Sequence, residues 1–487
     1  MAQTADAAIK VDFSKTIGHV DPNIHGHFAE HLGGCVYGGI WADSGSRVPA
    51  LRGMRKDTLD LVRALRMPLV RWPGGCFSEY YHWEDGIGPI EKRPWRFDWM
   101  WKKPEPNAVG THEFSAFCGE VGTEPLVVVN VRTGTPDEAA AWVEYCNGLA
   151  SSKQGSRRAA NGHREPFGVK YWGIGNEAWD LGAEESARRH VAFHDAMKAV
   201  DPSIRVVAVG PAGWNEEWNR AMIRVAGEKM DYLAPHHYDG WGKPRDRKTR
   251  EHFYANVGSA VRIEDTLRRT AQLLDEMLPH RPQVGVALDE WGVWTYGDQG
   301  MQHDYDLSDG IVAASVFNAM HRLCRRVRIA CWAQLVNCLG MIQANADAAW
   351  PTPVYQVFEL YRRRCAGQAV PVEVQCGTFD VDAALRPGLE KIPYLDASAA
   401  KDGKRCVIAV VNRHAEKDLT ASLVLADLPS AAPGNTAVEI ETLNGSGMFS
   451  RNGPGHLEVT TSKSQLPSLP DRCTFPAHSV TLISIST

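Results

Sequence analysis

The chain has 487 residues, of which 44% are hydrophobic and 23% charged, close to the usage of an ordinary globular protein. These proportions exclude a disordered, collagen-like or coiled-coil chain, and no window reaches the ~18 uncharged apolar residues that a membrane span needs. Lysine and arginine total 53 against 58 for aspartate and glutamate, so the net charge of −5 gives no general attraction to nucleic acid or to an anionic membrane.

The predicted elements begin with a short alternating strand at residues 9–13. Apolar runs that end in polar or glycine-rich turns then alternate with helical patterns. Eight of these runs are predicted as strands: 25–32, 69–72, 125–131, 170–175, 206–210, 232–236, 284–288 and 329–334. Helical spacing between the runs is clear at Leu59, Val62 and Leu65 and at Leu267, Ala271, Leu274 and Leu278. Pro136, followed by two acids, has the composition of a helix start.

Eight strand–helix units over residues 20–375 predict a (β/α)8 TIM barrel, a fold of the α/β class. An open, doubly wound sheet is the structural rival. It is weakened because no Gly-x-Gly-x-x-Gly follows the first strand, which also argues against a nucleotide site. The polar, basic stretch 151–165 is predicted as a solvated loop before the fourth strand.

After residue 375 the pattern changes to short β-type runs at 405–411, 419–425, 437–443 and 479–485, separated by Pro, Gly, Asn and Ser. Such runs are typical of a β-sandwich or jelly roll. We expect the N-terminal strand to join this sandwich, because a barrel has no place for a strand before its first. The predicted domains are residues 1–18, a strand of the sandwich; 19–375, the barrel; and 376–487, the sandwich. We expect the sandwich to cover the barrel flank or to form an oligomer contact, and the alternative is a binding module.

The 11 cysteines are scattered, with no CxxC pair, and predict neither a disulfide framework nor a zinc site. We therefore expect no metal and no cofactor. The first eight residues lack a charged n-region and an apolar h-region, so the printed sequence is predicted to carry no signal peptide. The compartment stays open between the cytoplasm and the periplasm or exterior.

In a barrel of this kind the active site lies at the carboxyl ends of the strands. The polar residues predicted there are Glu30, His31, Arg71, Asn130, Arg132, Asn176, Glu177, His236, His237, Tyr238, Glu290, Gln334 and Asn337. Two acids stand out, since Glu177 and Glu290 each end an apolar run and precede an aromatic residue. Strands four and seven face each other across an eight-stranded barrel, so the two carboxyl groups are expected to converge. Glycoside hydrolysis needs such a pair.

Three alternatives stay open. In the first alternative, Glu177 and Glu290 have only a structural role, and each caps a helix or pairs with an Arg. The His25-x-His27 pair suggests a metal-dependent amidohydrolase, although strand five ends without His and strand eight without an acid, so both histidines are expected to be hydrogen-bonded barrel residues. A non-catalytic carbohydrate-binding barrel would keep the Trp-rich rim but lose one acid. The tryptophans at 41, 83, 95 and 99 are expected in the core, and Trp291 and Trp294 near the site.

Seven stretches together resemble the α-L-arabinofuranosidases of glycoside hydrolase family 51: HGHFAEHLGG (25–34), VRWPGG (70–75), WEDGIGP (83–89), WGIGNE (172–177), HHYDG (236–240), LDEWGVW (288–294) and ACWAQLVN (330–337). The resemblance implies a retaining enzyme that releases terminal α-L-arabinofuranosyl residues from arabinan, arabinoxylan or arabino-oligosaccharides by double displacement. It also implies a homo-oligomer. The alternative is a related retaining barrel glycosidase acting on β-xylosides or β-glucans.

By this resemblance Glu177 is the general acid/base and Glu290 the nucleophile. The positions that would surround the sugar are Glu30, Arg71, Cys76, Trp101, Asn176, His236, Tyr238 and Gln334. Arg71 and Tyr238 would hold Glu290, Asn176 would donate to the 2-hydroxyl, and Glu177 is expected in the drier setting with a raised pKa.

Cys76 departs from the family pattern, which has Asn there. A thiol is a poor hydrogen-bond partner. The contact to the sugar would be lost, supplied by another group, or replaced because Cys76 is tied to a second cysteine such as Cys35.

Overall fold

The computed structural model describes residues 7–239, 249–294, 301–428 and 437–486. Eight parallel strands close into a barrel: Gly26–Phe28, Leu69–Trp72, Glu124–Val129, Tyr171–Ile174, Arg205–Ala212, Tyr232–Asp239, Gly285–Val293 and Val327–Ala333. The eighth strand pairs with the first, Trp332 opposite His27, so the sheet has no open edge. The predicted TIM barrel is confirmed, and the doubly wound rival is wrong.

The barrel strands are apolar along their length because both of their faces are buried. Leu69, Leu126, Val128, Val207 and Ile329 pack together inside the barrel. The alternate residues of the same strands pack against the surrounding helices. A continuous apolar run is therefore the sequence signature of each strand, and the first polar residues after it mark the end of the barrel.

Helices surround the barrel and follow the predicted spacing. Leu267, Ala271 and Leu274 are buried on one face of Ala260–Met277. Pro136 is the first residue of its helix, where its missing N–H costs nothing, and the Thr135 side chain accepts from Glu138 N. The α-helices of the described residues are Lys56–Leu65, Thr111–Val121, Pro136–Asn147, Lys153–Ala160, Ala183–Val200, Glu216–Ala226, Arg250–Val257, Ala260–Met277, Leu307–Arg322 and Pro353–Arg364.

The predicted loop at 151–165 is wrong over its middle, which forms the helix Lys153–Ala160. Ser152 caps this helix by accepting from Gly155 N at 3.1 Å. Arg158 is fully buried, and its guanidinium donates to four backbone carbonyls, those of Tyr145, Gly148, His163 and Arg164. The basic composition suggested a solvated loop, but the charge of Arg158 binds carbonyl oxygens rather than water and so stabilises a helix.

Two sheets form the C-terminal β-sandwich. One has seven strands, in the order Gly18–His19, Gln368–Val370, Leu395–Asp402, Arg405–Asn412, Ser479–Ser486, Ala437–Asn444 and Thr460–Leu466. The other has four, in the order Val372–Gln375, Ala7–Asp12, Leu419–Ala426 and Arg472–Phe475. The N-terminal strand thus joins the sandwich as expected, and Ile9 and Val11 pack in its core with Ile408 and Ile483. The division of domains at residue 375 stays a prediction.

The sandwich is attached to the barrel through buried polar contacts. Asn318 and His321 of Leu307–Arg322 lie 3.0 Å from Asp396 and 2.8 Å from Ser398, respectively, in the strand Leu395–Asp402. Within the described residues, none of the helices combines the length and the hydrophobicity that crossing a membrane requires.

Short elements complete the barrel loops. The hairpins pair Ala50–Leu51 with Met54–Arg55, Arg96–Asp98 with Lys103–Glu105, Ile342–Ala344 with Ala349–Pro351, Thr378–Phe379 with Ile392–Pro393, and Asn452–Gly453 with His456–Leu457. The 3-10 turns are Pro22–His25, Cys76–Tyr80, Trp83–Gly86, Ile90–Lys92, Trp179–Leu181 and Gly227–Lys229.

Candidate active site

A cavity of about 710 Å³ opens at the carboxyl ends of the barrel strands. Its lining includes eight of the ten predicted site residues: Glu30, Cys76, Trp101, Glu177, His236, Tyr238, Glu290 and Gln334. The other two, Arg71 and Asn176, have no exposed surface and lie behind the carboxyl group of Glu290.

Glu290 is held from two sides. Arg71 Nη1 donates to its Oε2 at 2.8 Å, and the Tyr238 phenol donates to its Oε1 at 2.8 Å. Burial raises the pKa of Glu290, and the positive charges of His236 and Arg71 limit that rise. The carboxyl group is therefore fixed in position and surrounded by groups that favour its ionised form.

Arg71 also orients two neighbours of Glu290. Its Nη2 donates to Asn176 Oδ1 at 2.6 Å, and its Nε lies 3.2 Å from Asp289 Oδ2. Burial alone would raise the pKa of Asp289, but the Arg71 charge and His236 lower it overall. The buried guanidinium is thus compensated by two carboxylates.

His236 lies between the two acids. Its Nδ1 is 2.8 Å from Glu177 Oε1 and 3.4 Å from Glu290 Oε2, and its Nε2 is 3.2 Å from Asp289 Oδ1. Burial alone would lower the pKa of His236, but the Glu290 charge and the bonds to Asp289 and Glu177 raise it to about 10. The imidazole is therefore a cation at neutral pH.

The two acids lie close enough to act on one bond. Glu177, His236 and Glu290 each offer one ligand atom, and these atoms all lie within 4.8 Å of one another. The Glu177 side chain is 21% exposed and that of Glu290 9%. The expectation that Glu177 occupies the drier setting is wrong, because Glu290 is enclosed by Arg71 and Tyr238 while Glu177 faces the cavity.

Gly75 permits this close packing behind the carboxyl groups. A Cβ atom there would lie 2.9 Å from Glu290 Oε2 and 3.2 Å from Asn176 Oδ1. Any side chain would displace Glu290, which explains the second glycine of the RWPGG stretch in physical terms.

Glu30 forms the closed end of the cavity. Its Oε1 accepts from Gly75 N, Phe77 N and Trp101 Nε1 at 3.1, 3.0 and 3.3 Å, and its Oε2 accepts from Gln334 Nε2 at 3.1 Å. Burial, helped by the charge of Glu290, raises the pKa of Glu30 to about 8. This end offers hydrogen-bonding groups in fixed positions to the hydroxyls of a small polar ligand.

Cys76 lies beside Glu177. Its Sγ is 3.7 Å from Glu177 Oε2 and 3.7 Å from Asn176 Nδ2. Burial and the nearby carboxylates raise the pKa of the thiol. Cys76 and the buried Cys35 are both free, so the suggested tie between them is wrong.

Other predicted strand-end residues serve the fold. His31 is buried between Glu105 and the Trp72 indole, which donates to it. Arg132 pairs with Glu79 and Asp180. Asn130 accepts from the backbone of the turn that follows it, and the Asn337 side chain donates to Gly34 O. The buried His25 Nδ1 lies 3.2 Å from Pro22 O, whereas His27 Nδ1 has no partner among the described residues, against expectation.

The tryptophans divide differently from the prediction. Trp41 and Trp83 are buried as expected, but Trp95 and Trp99 are 71% and 69% exposed. Trp294 lines the cavity. Trp291 does not; it is fully buried against Trp332 and the helices outside the barrel, so its expected place near the site is wrong.

Sequence reasoning missed two polar residues of the site. Asp289 precedes Glu290 directly, and this adjacency was its only signal. Glu79 accepts from Asn176 N at 2.8 Å and so fixes the backbone before Glu177; this contact joins distant parts of the chain and leaves no local signal. Trp179, the aromatic residue noted after Glu177, lines the cavity and is held by its bond to Gly210 O at 2.9 Å.

The cluster of Glu177, His236 and Glu290 has the ligand types of a metal centre. A histidine binds a metal ion through an unprotonated ring nitrogen. Because the pKa of His236 is raised to about 10, its ring nitrogens carry protons at neutral pH and face carboxylate oxygens. The arrangement suits proton sharing between acids better than metal binding.

Comparison with known proteins agrees with this geometry. Two family models match the chain, the α-L-arabinofuranosidase 1 domain at residues 61–257 and the α-L-arabinofuranosidase C-terminal domain at residues 289–479. The probable α-L-arabinofuranosidase C of Aspergillus niger is 32% identical over an alignment of 509 residues, gaps included. The alignment covers 98% of this chain and 96% of that protein.

Solved structures extend the match to the whole fold. The α-L-arabinofuranosidase of Thermotoga maritima, in complex with arabinose, is 35% identical with a TM-score of 0.89, and the match covers 99% of this chain and 100% of that one. The family 51 arabinofuranosidase of Xanthomonas axonopodis pv. citri is 30% identical with a TM-score of 0.89, at 99% and 100% coverage. The chain belongs to the α-L-arabinofuranosidases of glycoside hydrolase family 51. As a family 51 member it is a glycosidase of the arabinofuranosidase class, as the resemblance implied.

Proposed function

We propose that this enzyme releases terminal α-L-arabinofuranosyl residues from arabinan, arabinoxylan or arabino-oligosaccharides, with retention of anomeric configuration. Glu290 is the nucleophile and Glu177 the general acid/base. The observation that carries the proposal is the closeness of the two acids, since one carboxyl oxygen of Glu177 lies within 4.8 Å of one carboxyl oxygen of Glu290. Retaining glycosidases place the two carboxyl groups ~5–5.5 Å apart, whereas inverting enzymes need ~6.5–9.5 Å to admit a water molecule.

In the first step the Glu290 carboxylate attacks the anomeric carbon. The bond from that carbon to the leaving oxygen breaks, and the proton of Glu177 passes to this oxygen. Glu290 is suited to the nucleophilic role because Arg71 and Tyr238 hold both of its oxygens and because its neighbours favour the ionised form. Glu177 is suited to the acid role because it lines the cavity, where its proton can reach the leaving oxygen, and because its Oε1 lies 2.8 Å from His236 Nδ1, which holds the carboxyl group in place.

In the second step Glu177, now a carboxylate, takes a proton from water as the water oxygen attacks the anomeric carbon. The bond to Glu290 breaks, arabinose leaves and both acids regain their starting states. Two displacements on the same carbon restore its configuration.

The remaining residues position the sugar. Glu30 and Gln334 bind hydroxyls at the closed end, and Trp101 forms the rim through its bond to Glu30. The Asn176 amide, which reaches Cys76 Sγ at 3.7 Å, donates instead to the 2-hydroxyl when the sugar is bound. Arg71 acts through Glu290 and Asn176 and is a positioning residue.

The test uses 4-nitrophenyl α-L-arabinofuranoside, with the anomer released followed by NMR. We expect the retained anomer, no turnover by Glu290→Ala, and a Glu177→Ala enzyme that loses ~10²–10⁴-fold on arabino-oligosaccharides but far less on substrates with a good leaving group. The inverted anomer, or near-wild-type turnover by Glu290→Ala, would contradict the mechanism. Equal activity on 4-nitrophenyl β-D-xyloside would favour a xyloside-cleaving enzyme. We also propose a homo-oligomer, which light scattering after gel filtration tests.

A further inference from the structure

A segment of the C-terminal region reaches into the wall of the active-site cavity. Residues 380–391 connect the paired strands Thr378–Phe379 and Ile392–Pro393, and Leu385, Arg386 and Pro387 line the cavity beside the barrel residues. None of the predicted site residues lies in this segment.

The segment is held in a fixed shape. Leu385 N and Arg386 N both donate to Asp382 O at 2.8 Å, and Val381 N donates to Leu389 O at 2.8 Å. Pro387 O accepts from Arg262 Nη2 at 2.6 Å, which ties the segment to the helix Ala260–Met277.

Arg386 forms an ion pair with Asp239, and the two side chains are 5% and 6% exposed. Asp239 ends the sixth barrel strand, one residue beyond Tyr238, which donates to Glu290. Because the strand runs toward the mouth of the barrel, Asp239 lies one residue nearer the mouth than Tyr238, and we place its partner Arg386 outward of the two acids. Under the proposed function, that is where the leaving group extends.

The chemistry of Arg386 indicates what it binds. Its side chain lines the cavity, where the guanidinium can donate to a ligand oxygen. Among the residues that the structure describes, its Nε–H is enclosed and has no hydrogen-bond partner. Burial lowers its pKa to about 10, so it stays charged at neutral pH, and Asp239 balances that charge. His237, which also lines the cavity, is neutral because burial and the charges of Arg262 and Arg386 lower its pKa to about 4.

We propose that Arg386 determines specificity on the leaving-group side, where its guanidinium donates to a hydroxyl of the first sugar beyond the scissile bond. The inference rests on the proposed function, since it takes the arabinofuranosyl unit to occupy the closed end.

The experiment compares two substrates in one variant. Arg386→Met should lower kcat/KM for arabinobiose by about tenfold. The value for 4-nitrophenyl α-L-arabinofuranoside, whose leaving group has no sugar hydroxyl to accept from Arg386, should change less than about twofold. Equal losses on both substrates, or no loss on arabinobiose, would overturn the proposal. If instead the wild-type enzyme does not release the retained anomer, the proposed function itself is refuted.

Arg413 provides a matched control. It is also buried, pairs with Asp396 at 3.2 Å and has an Nε without a partner among the described residues, but it lies at the attachment of the sandwich rather than in the cavity. Arg413→Met should leave the ratio of the two kcat/KM values unchanged. If Arg386→Met does not fold, the charge-balanced double variant Asp239→Asn, Arg386→Met should show the same split between substrates, and an unchanged ratio in it overturns the proposal.

Discussion

Nδ1 of His236 lies 2.8 Å from Oε1 of Glu177. The same nitrogen is 3.4 Å from Glu290 Oε2, so one buried cation serves both acids. Its pKa of about 10 means that it remains charged over the whole range in which a glycosidase of this kind would be assayed.

Replacing this cation changes the pH profile in a defined direction. His236→Asn removes a charge that lowers the pKa of Glu290, so that pKa rises. The nucleophile must be ionised, and activity is lost as the pH falls through its pKa. We therefore expect the acid limb of kcat/KM for 4-nitrophenyl α-L-arabinofuranoside to move up by about one pH unit.

His237→Asn is the control for this shift. His237 follows His236 directly but bonds to Thr266 Oγ1 at 2.9 Å and is neutral at assay pH. Its replacement should leave the acid limb in place. If the acid limb of the His236→Asn profile does not move, the His236 imidazolium does not lower the pKa of Glu290.

Cys76 makes the active site sensitive to thiol reagents. Its sulfur lies 3.7 Å from Glu177 Oε2 in the cavity wall. Because burial raises the pKa of the thiol, alkylating agents that need a thiolate should react slowly, whereas methylmercury, which binds the sulfur tightly, should abolish activity. Arabinose should protect by filling the cavity.

The variant Cys76→Ser should resist methylmercury, since its hydroxyl does not bind a soft metal. Cys376 is likewise free and half-buried, but it lies in the C-terminal region away from the cavity lining. Cys376→Ser should remain as sensitive as the wild type. Inactivation of Cys76→Ser at the wild-type rate would place the reactive thiol elsewhere.

Trp101 and Trp99 belong to one hairpin but should differ in function. The Trp101 indole donates to Glu30 Oε1 at 3.3 Å, whereas Trp99 is 69% exposed and absent from the cavity lining. Trp101→Phe removes the donor and should lower kcat/KM for the nitrophenyl substrate by about tenfold. Trp99→Phe should change it by less than about twofold, since surface substitutions seldom matter. Similar values for the two variants would remove Trp101 from the site.

Arg158 stabilises the connection before the fourth barrel strand. Arg158→Met leaves carbonyls of Tyr145, Gly148, His163 and Arg164 without their donor and should lower the free energy of unfolding by about 3 kcal/mol. The adjacent Arg157 is partly exposed and pairs with Glu84, so Arg157→Met should cost less than about 1 kcal/mol. Thermal unfolding of the two variants measures the difference, and equal melting temperatures would contradict this account.

The barrel could be predicted because each strand is buried on both faces, which leaves an apolar run ended by polar residues. Glu177 and Glu290 follow such runs, and the parallel topology brings them together. Glu79 and Arg386 could not be found in this way, because their places depend on loops whose course is set by tertiary contacts. The greater burial of Glu290 than of Glu177 depends on Arg71 and Tyr238, which come from two other strands.

The strand Ala7–Asp12 lies in the middle of its four-stranded sheet, between Val372–Gln375 and Leu419–Ala426. In chain order this strand precedes the barrel, whereas both of its neighbours follow the barrel. During synthesis its apolar side chains, Ile9 and Val11, therefore lack their sheet partners until the ribosome has made the whole barrel. The four-stranded sheet can form only after that point, so the ribosome must finish the catalytic domain before this half of the sandwich can assemble.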